Sequence, residues 1–358
     1  MKIALISDTH FGVRSDNINL LDHQKIFFDD IFFPYLKKNN IDTAFHLGDL
    51  VDRRKYINFN TLDRMKRDFL DPLFSQIKFM PIIAGNHDTY YKDRNELNSL
   101  ALLLNEYKPV IDYNDIDPKE YEFDGTKILA LPWICRQNES ETIKAIKETK
   151  ASACFGHLQL IGFEMHKGSF SEEGMSKDLF SNFHTVCSGH FHHKSDYGNI
   201  HYLGCPYQMN WGDYGDCKGF HIFDTKTHDL TFIPNPYSLF HKIEYDDSKL
   251  SLKEIMNMNF DNCKKGFVRV VVKEKTNSYW FDNFIERIEV VEPISIQVIE
   301  DMGNLLYDGE QSDLIHVEDT ITLLSKYCES IGVQENLKPK LNELLQSIYN
   351  EANNLRIA

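Results

Sequence analysis

The feature that most constrains this chain is the way its apolar segments end. Five short runs of strand-forming residues stop at a tight cluster of Asp, Asn, His and Gly: Asp8-Thr9-His10, Gly48-Asp49-Leu50-Val51-Asp52-Arg53, Gly85-Asn86-His87-Asp88, Gly156-His157 and Gly189-His190-Phe191-His192. The runs ahead of them, residues 2–7, 43–47, 79–84, 152–155 and 185–188, read as buried strands, as does 128–131. Helical patterns over 20–38, 61–74 and 96–107 fall between the early strands. This alternation predicts a layered α/β domain whose sheet is covered on both faces, with polar groups gathered at strand ends. A single Asp-x-His is a weak signal. A series of such clusters is a strong one, because a buried fold rarely collects so many unpaired polar groups.

The residue types indicate what the clusters hold. Carboxylates and neutral imidazoles suit first-row divalent ions such as Mn²⁺, Fe²⁺ or Zn²⁺, and the lack of thiolates argues against a purely structural site. Alternate residues of a strand point to one side, so Asp-x-His and His-x-His are expected to offer two ligands from one short segment. Neighbouring glycines allow tight turns and close backbone approach. Two ions roughly 3.5–4 Å apart can activate a water, clamp phosphoryl oxygens and neutralise a leaving oxygen. The predicted chemistry is two-metal phosphoester hydrolysis.

Composition narrows the setting. The 7 cysteines are scattered without a Cys-x-x-Cys pair, which points to free thiols in a cytoplasm. No apolar run has the length of a membrane span, and the first residues run from Met1 to Ile6 straight into Ser7-Asp8, as a buried strand does. A formal net charge of -15 argues against nucleic acid adhering to the whole surface, though not against a local basic patch. Arg53-Arg54-Lys55, extended by Arg64, Lys66, Arg67, Lys92 and Arg94, reads either as a phosphate path or as solvated charge. Trp211 and Tyr214 read either as a stacking platform for an unpaired base or as core.

A chain of 358 residues suits more than one domain. Pro234-Asn235-Pro236 marks the expected boundary between a catalytic domain (1–236) and a small α+β module (237–301) of strand, helix, strand, helix, strand. A polar linker (302–314) follows, and residues 315–358 carry two amphipathic helices. Such a hairpin either folds back on its own domain or docks on another chain, and the linker favours docking.

The five clusters resemble the motifs of the calcineurin-like metallophosphoesterases. Gly156-His157-Leu158-Gln159-Leu160-Ile161-Gly162-Phe163, Ser188-Gly189-His190-Phe191-His192 and Tyr202-Leu203-Gly204-Cys205-Pro206-Tyr207 are similar to the SbcD-type DNA nucleases, including the recombination endonuclease subunits of T4-like phages. The resemblance implies a β-sandwich flanked by helices, a small DNA-binding capping domain, and a C-terminal hairpin that docks on an SbcC-type coiled-coil ATPase. It also implies a manganese-dependent exo- or endonuclease of DNA recombination, repair and replication, host-cytoplasmic if phage-encoded, using two Mn²⁺ or other divalent ions.

By motif, Asp8, His10 and His192 are expected on one ion and Asn86, His157 and His190 on the other, with Asp49 between them. His87 is expected to stabilise the transition state or protonate the leaving 3′ oxygen, oriented by Asp88. The stripe of Leu62, Met65, Phe69 and Leu73, with Leu97, Leu100, Ala101 and Leu104, reads as core, whereas the resemblance implies a homodimer through these helices. Asp52 stands where some members carry a histidine, and is expected to pair with Arg53 or Arg54. The alternative is a protein phosphatase or small-molecule phosphodiesterase, since residues 48–53 come close to the Ser/Thr phosphatase signature. Arg54 replaces its final glycine, and the Gly-His-Phe-His cluster has the nuclease form.

Overall fold

The computed structural model describes residues 1–166 and 169–300, together with Lys338, Lys340, Leu341, Leu344 and Leu345, which are helical. Met1–Asp301 forms one compact unit and Met302–Ala358 a second. The expected linker (302–314) and the rest of the hairpin lie outside the described residues.

Period-two burial builds the centre of the first unit. In the strand Lys2–Ile6, Ile3 and Leu5 join a core with Phe45, Leu47, Phe155 and Ile128, while Ala4 and Ile6 face a second core of Phe27, Phe28, Phe32 and Phe69. The first core lies between two six-stranded sheets, and the second between one sheet and its helices. One sheet runs in the order Leu230–Pro234, Gly219–Asp224, Lys2–Ile6, Ala44–His46, Met80–Ile83, Ile111–Asn114. The other runs Ser195–Tyr197, Ile200–Tyr202, Thr185–Ser188, Ala153–Gly156, Thr126–Leu131, Lys119–Phe123. In each sheet four consecutive strands are parallel. Phe155 meets Phe45 at 5.3 Å and Phe223 at 5.2 Å between ring centroids, which locks the sheets face to face. Each such fully buried Phe is worth about 1.5–3 kcal/mol of transfer free energy. Leu129, Leu131, Cys154 and Val186 cover the outer face of the second sheet with Ile146 and Phe180. The result is the helix-flanked β-sandwich.

The first two helical patterns are single rods with a widened middle. Ile18–Phe27 and Phe33–Lys38 are joined by a π turn at Phe28–Phe32, and Phe59–Met65 and Asp71–Gln76 by a π turn at Lys66–Leu70. The amides of Phe33 and Asp71 reach back five residues, to the carbonyls of Phe28 and Lys66. Each widening comes just before a proline, Pro34 or Pro72, whose ring would otherwise collide with the carbonyl four residues back. The two π turns pack together through Phe28 and Phe69, at 4.6 Å. Met65, Phe69, Leu73, Leu100 and Leu104 are buried here, while Leu97 and Ala101 are only partly covered or exposed. The pattern expected over 96–107 shrinks to Ser99–Leu103 and a 3-10 turn at Asn105–Tyr107, because the Asn98 side chain caps the helix late.

After Asn235 the chain forms a parallel three-stranded sheet, Phe240–Asp246, Phe267–Glu274 and Ser295–Glu300, with helices Leu252–Asn257 and Ser278–Val290 between the strands. Phe281, Phe284 and Ile288 put one helix face into its core beside Tyr245, Val268 and Val270. Leu239 and Phe240 also pack on Leu20, against Trp211 and Val13. Among the described residues, no helix is long and apolar enough to cross a membrane, and the cysteines are free thiols.

Candidate metal centre

All five clusters sit at the carboxyl ends of parallel strands, on one rim of the sandwich. The expected pleat does not present them. The strands stop at Ile6 and Ser188, and Asp8, His10, Asp49 and His190 have φ of 53°, 43°, 55° and 86°. Left-handed backbone costs a non-glycine residue roughly 1–2 kcal/mol. It persists here because neighbouring loops bind one another: the Asp8, His10 and Phe11 amides donate to the carbonyls of Gly48, Asp49 and Leu50 at 3.0, 3.1 and 2.9 Å. These curled segments, not alternation along a strand, turn Asp8 with His10, and His190 with His192, toward one point. Strain of this kind is characteristic of functional sites. Glycine is needed where loops nearly touch: a Cβ on Gly189 would lie 2.0 Å from Ser7 Oγ and 2.8 Å from Asp8 Oδ2.

The side chains form two groups that meet at one carboxylate. Asp8, His10 and His192 place ligand-type atoms within 4.8 Å of one another, and so do Asp49, His157 and His190. Asp49 Oδ2 stands 3.3 Å from His157 Nε2 and 3.6 Å from His10 Nε2, between the groups. Asn86 Oδ1 lies 3.0 Å from His157 Nε2 and 2.8 Å from His190 Nδ1. His157 Nδ1 is 2.7 Å from the Leu47 carbonyl, which holds the proton on that nitrogen and frees Nε2. Trp133, which no sequence motif marks, covers the group, with its ring 5.0 Å from His190 and 6.1 Å from His157. Its only signal is a Pro-Trp pair just past a strand end.

This donor set fits divalent cations. His10 Nε2 and His192 Nε2 face each other at 3.0 Å, a contact that holds one proton at most or turns both lone pairs to a shared cation. Burial pushes Asp8 up to about 6, with Asp49 adding to the rise. Burial pulls His10 and His157 down, but Asp52, Asp49 and Asp8 around His10, and Asp49 and Asp8 around His157, outweigh it and raise each to about 9. His157, its strongest partner, then His10 and His87, holds Asp49 well below the carboxylate range despite full burial. His190, buried beside His157, falls to about 3 and stays neutral. Without a metal ion, protons on His10 and His157 supply the positive charge that the carboxylates require.

His87 lies at the edge of the centre. A ring nitrogen is within 4.8 Å of Asp49 and His10, and the ring meets His10 edge-on at 4.8 Å. Its amide donates to Asp49 Oδ1 at 2.7 Å, and Nδ1 lies 2.5 Å from the Asp52 carbonyl. Burial lowers its pKa, with Asp49 opposing.

Two expectations change here. Asp88 does not orient His87: its carboxylate accepts from the amides of Leu50, Gly85 and Val51 at 3.0, 2.9 and 3.2 Å and from the Ser99 hydroxyl, so it fastens the Asp49 loop to the Gly85 turn. Asp52 pairs with neither Arg53 nor Arg54. Its carboxylate stands 3.5 Å from His10 Nδ1 while its carbonyl holds His87, so one residue steadies both rings.

The basic path is partly spent on internal pairs. Arg64 binds Asp22 and Asp68, Lys66 binds Glu106, Arg67 binds Asp63 and Asp68, and Arg53 binds Asp16. Arg54 donates to the Tyr91 carbonyl, and Arg94 lies over the Tyr91 ring. Trp211 is partly buried, packed against Phe240 at 5.0 Å and under Arg269 at 4.0 Å, while Tyr214 is exposed.

Residues 1–194 match the profile described as calcineurin-like phosphoesterase. The chain belongs to this family. It is 32% identical over 357 residues to exonuclease subunit 1 of Enterobacteria phage T4, covering 98% of this chain and 99% of that one. It is 25% identical over 290 residues to the SbcD subunit of nuclease SbcCD from Staphylococcus saprophyticus, covering 72% and 76%. Among solved structures, an archaeal phosphodiesterase aligns with 66% of this phosphoesterase and all (100%) of its own chain, at 13% identity and a TM-score of 0.34.

Proposed function

We propose that this phosphoesterase is a manganese-dependent DNA nuclease subunit, an exo- or endonuclease that works with an SbcC-type ATPase in recombination, repair and replication. The observation that carries the chemistry is Asp49 Oδ2 between His10 and His157, one oxygen serving two ligand groups. In this reading Asp8, His10 and His192 would hold one Mn²⁺ and Asn86, His157 and His190 the other, with Asp49 available to both. A bound pair of divalent ions supplies a nucleophilic water at neutral pH and neutralises phosphoryl charge. The chain's own residues do the rest. Asp52 accepts the Nδ1 proton of His87 with its carbonyl, so the ring would act as an acid only as the imidazolium, whose second proton, on Nε2, would go to the departing 3′ oxygen and leave the Nδ1–H neutral ring behind. Asp88 keeps the Asp49 loop in register, and Trp133 packs its ring beside His190.

Similarity along nearly the whole length of a phage exonuclease subunit, and to the SbcD subunit of an SbcCD nuclease, supports DNA as substrate and a paired ATPase. Residues 1–236 then form the nuclease domain, 237–301 a DNA-binding cap, 302–314 a linker and 315–358 the ATPase-docking hairpin. The homodimer of this reading would use the side of the helix Phe59–Met65 that carries the exposed Phe59 and the partly buried Leu62.

The test incubates the purified chain with single- and double-stranded DNA and, separately, with a phosphoprotein and a chromogenic phosphodiester. DNA cleavage is expected with Mn²⁺ and none after chelation. Turnover of the phosphoprotein alone would overturn the nuclease reading. Deleting residues 315–358 is expected to abolish co-purification with an SbcC-type ATPase and to spare manganese-dependent cleavage. A truncated chain that still binds that ATPase tightly would sink the docking role.

Metal uptake is expected to depend on pH with a definite sign. Ligands must be deprotonated to bind. Asp8 loses its proton near about 6, and His10 and His157 near about 9, so manganese affinity should rise with pH across that window. Calorimetry at pH 7 in buffers of different ionisation enthalpy should register proton release on binding, and at pH above 9 little. Buffer-independent heats at pH 7 would contradict it.

A further inference from the structure

A fourth group of ligand-type residues, His192, Cys205 and Asp213, also lies within the 4.8 Å range, yet it is already filled by a cation of the chain itself. Lys218, only 4% exposed, sends its ammonium into this group. It donates to Asp213 Oδ1 at 2.7 Å, to the His192 carbonyl at 2.8 Å and to Asp216 Oδ2 at 3.3 Å. Three donors meet three acceptors, which satisfies a buried ammonium completely. The partners are themselves fastened. Asp213 Oδ2 accepts from the amides of Met209 and Asn210 at 2.8 and 3.1 Å, and Asp216 Oδ2 lies 3.0 Å from His193 Nδ1. The Cys205 amide donates to the His192 carbonyl at 3.2 Å.

The peptide that joins His192 to His193 is therefore gripped on both sides. Lys218 and Cys205 hold its carbonyl, and Asp216 holds the next ring. His192 lies four residues beyond Ser188, as far past its strand as His10 lies past Ile6, in a turn outside the sheet ladder. The turn needs another source of rigidity, and the buried ammonium is the charged group that supplies it. The frame continues outward: the Asp213 carbonyl accepts from Gln208 Nε2, and Gln208 Oε1 accepts the amides of Leu239 and Phe240, the first residues of the small module.

We infer that Lys218 is a positioning residue for the metal centre: by pinning the His192 carbonyl against Asp213 and Asp216 it aims the His192 imidazole at His10 and sets the affinity of the ion those two histidines share. This rests on the two-metal reading above. Ligand-supporting partners of this kind typically change metal affinity about 10–100-fold.

The test titrates the full-length, metal-free chain with Mn²⁺ alone, by calorimetry and by manganese electron paramagnetic resonance. The wild type is expected to bind two ions. Lys218→Met is expected to weaken one of them about 10–100-fold and leave the other unchanged. In a His192→Ala background, Lys218→Met should cause no further loss, because its route of action is already gone; a general structural role would add its damage in both backgrounds. Should the single variant fail to fold with Asp213 left unpaired, Lys218→Met with Asp213→Asn removes both charges and is expected to fold and show the same selective loss. Unchanged binding of both ions in a folded variant, equal weakening of both, or failure of both variants to fold would overturn the positioning role. A wild-type chain that binds no Mn²⁺ would instead overturn the metal reading on which it rests.

Discussion

His87→Ala is expected to slow phosphodiester hydrolysis by about 10²- to 10⁴-fold, the usual worth of a positioned proton donor, while both metal ions still bind. The separation of the two effects follows from which atoms of His87 do what. Its backbone amide holds Asp49 Oδ1, and alanine keeps that bond. Its ring comes within 4.8 Å of Asp49 and His10 but is not among the ligands proposed for either ion, and its Nδ1 is committed to the Asp52 carbonyl. Removing the imidazole therefore takes away Nε2 and little else. Manganese titration alongside single-turnover cleavage measures both quantities on one preparation. Wild-type cleavage by the variant would remove His87 from the chemistry, and a parallel loss of metal would make it a ligand support instead.

Gly85→Ala should have an equally large effect although it replaces no candidate ligand or acid. A Cβ at that position would sit 2.2 Å from Asp49 Oδ1, 2.3 Å from the Asp49 amide nitrogen and 2.8 Å from its carboxyl carbon. None of these atoms can move far. The Asp49 carboxylate is held by His87 and His157, and the neighbouring amides of Leu50 and Val51 are tied to Asp88. The methyl group must displace the one carboxylate that both ligand groups share. Affinity for both Mn²⁺ ions is expected to fall about 100-fold or more, beyond what loss of an outer-shell partner costs. Overpacking adds about 1–3 kcal/mol of destabilisation. Isothermal titration and a thermal melt of the same sample separate the two. A variant that loads manganese as the wild type does would show that the Asp49 loop is softer than its hydrogen bonds imply.

The strand ends are legible in the sequence because their signal is local. A run such as Met80–Ile83 stops at Gly85-Asn86-His87-Asp88, and both the run and the cluster lie within a few residues. The small module is legible for the same reason: its strands and amphipathic helix have their own periods. What the sequence hides depends on partners far away in the chain. Asp52 has arginine neighbours, yet it serves His10 and His87, brought to it by other loops. Asp88 adjoins His87 in sequence, but its carboxylate turns to amides of the Asp49 segment. Arg64 and Lys66 read as free charge, and Asp22 and Glu106 neutralise them across the fold. The left-handed turns at Asp8, His10 and Asp49 carry no local mark at all, since none is a glycine. They arise from loop-to-loop hydrogen bonds that exist only after folding.

That dependence bears on how the protein comes to be active. Asp8 accepts the His190 amide across 182 positions of chain, and His157 reaches the Leu47 carbonyl across 110. Contacts of such span close late, because the entropy of bringing the ends together is spent before any of it is returned. The metal centre is made from both sheets, and its ligands come together only once these have met. Ions that bind there select the finished fold from everything that precedes it and stabilise that fold by an amount that grows with the logarithm of their concentration. A chain caught half-folded has no complete pair of ligand groups, so the hydrolytic activity is withheld until the whole framework that directs it is in place.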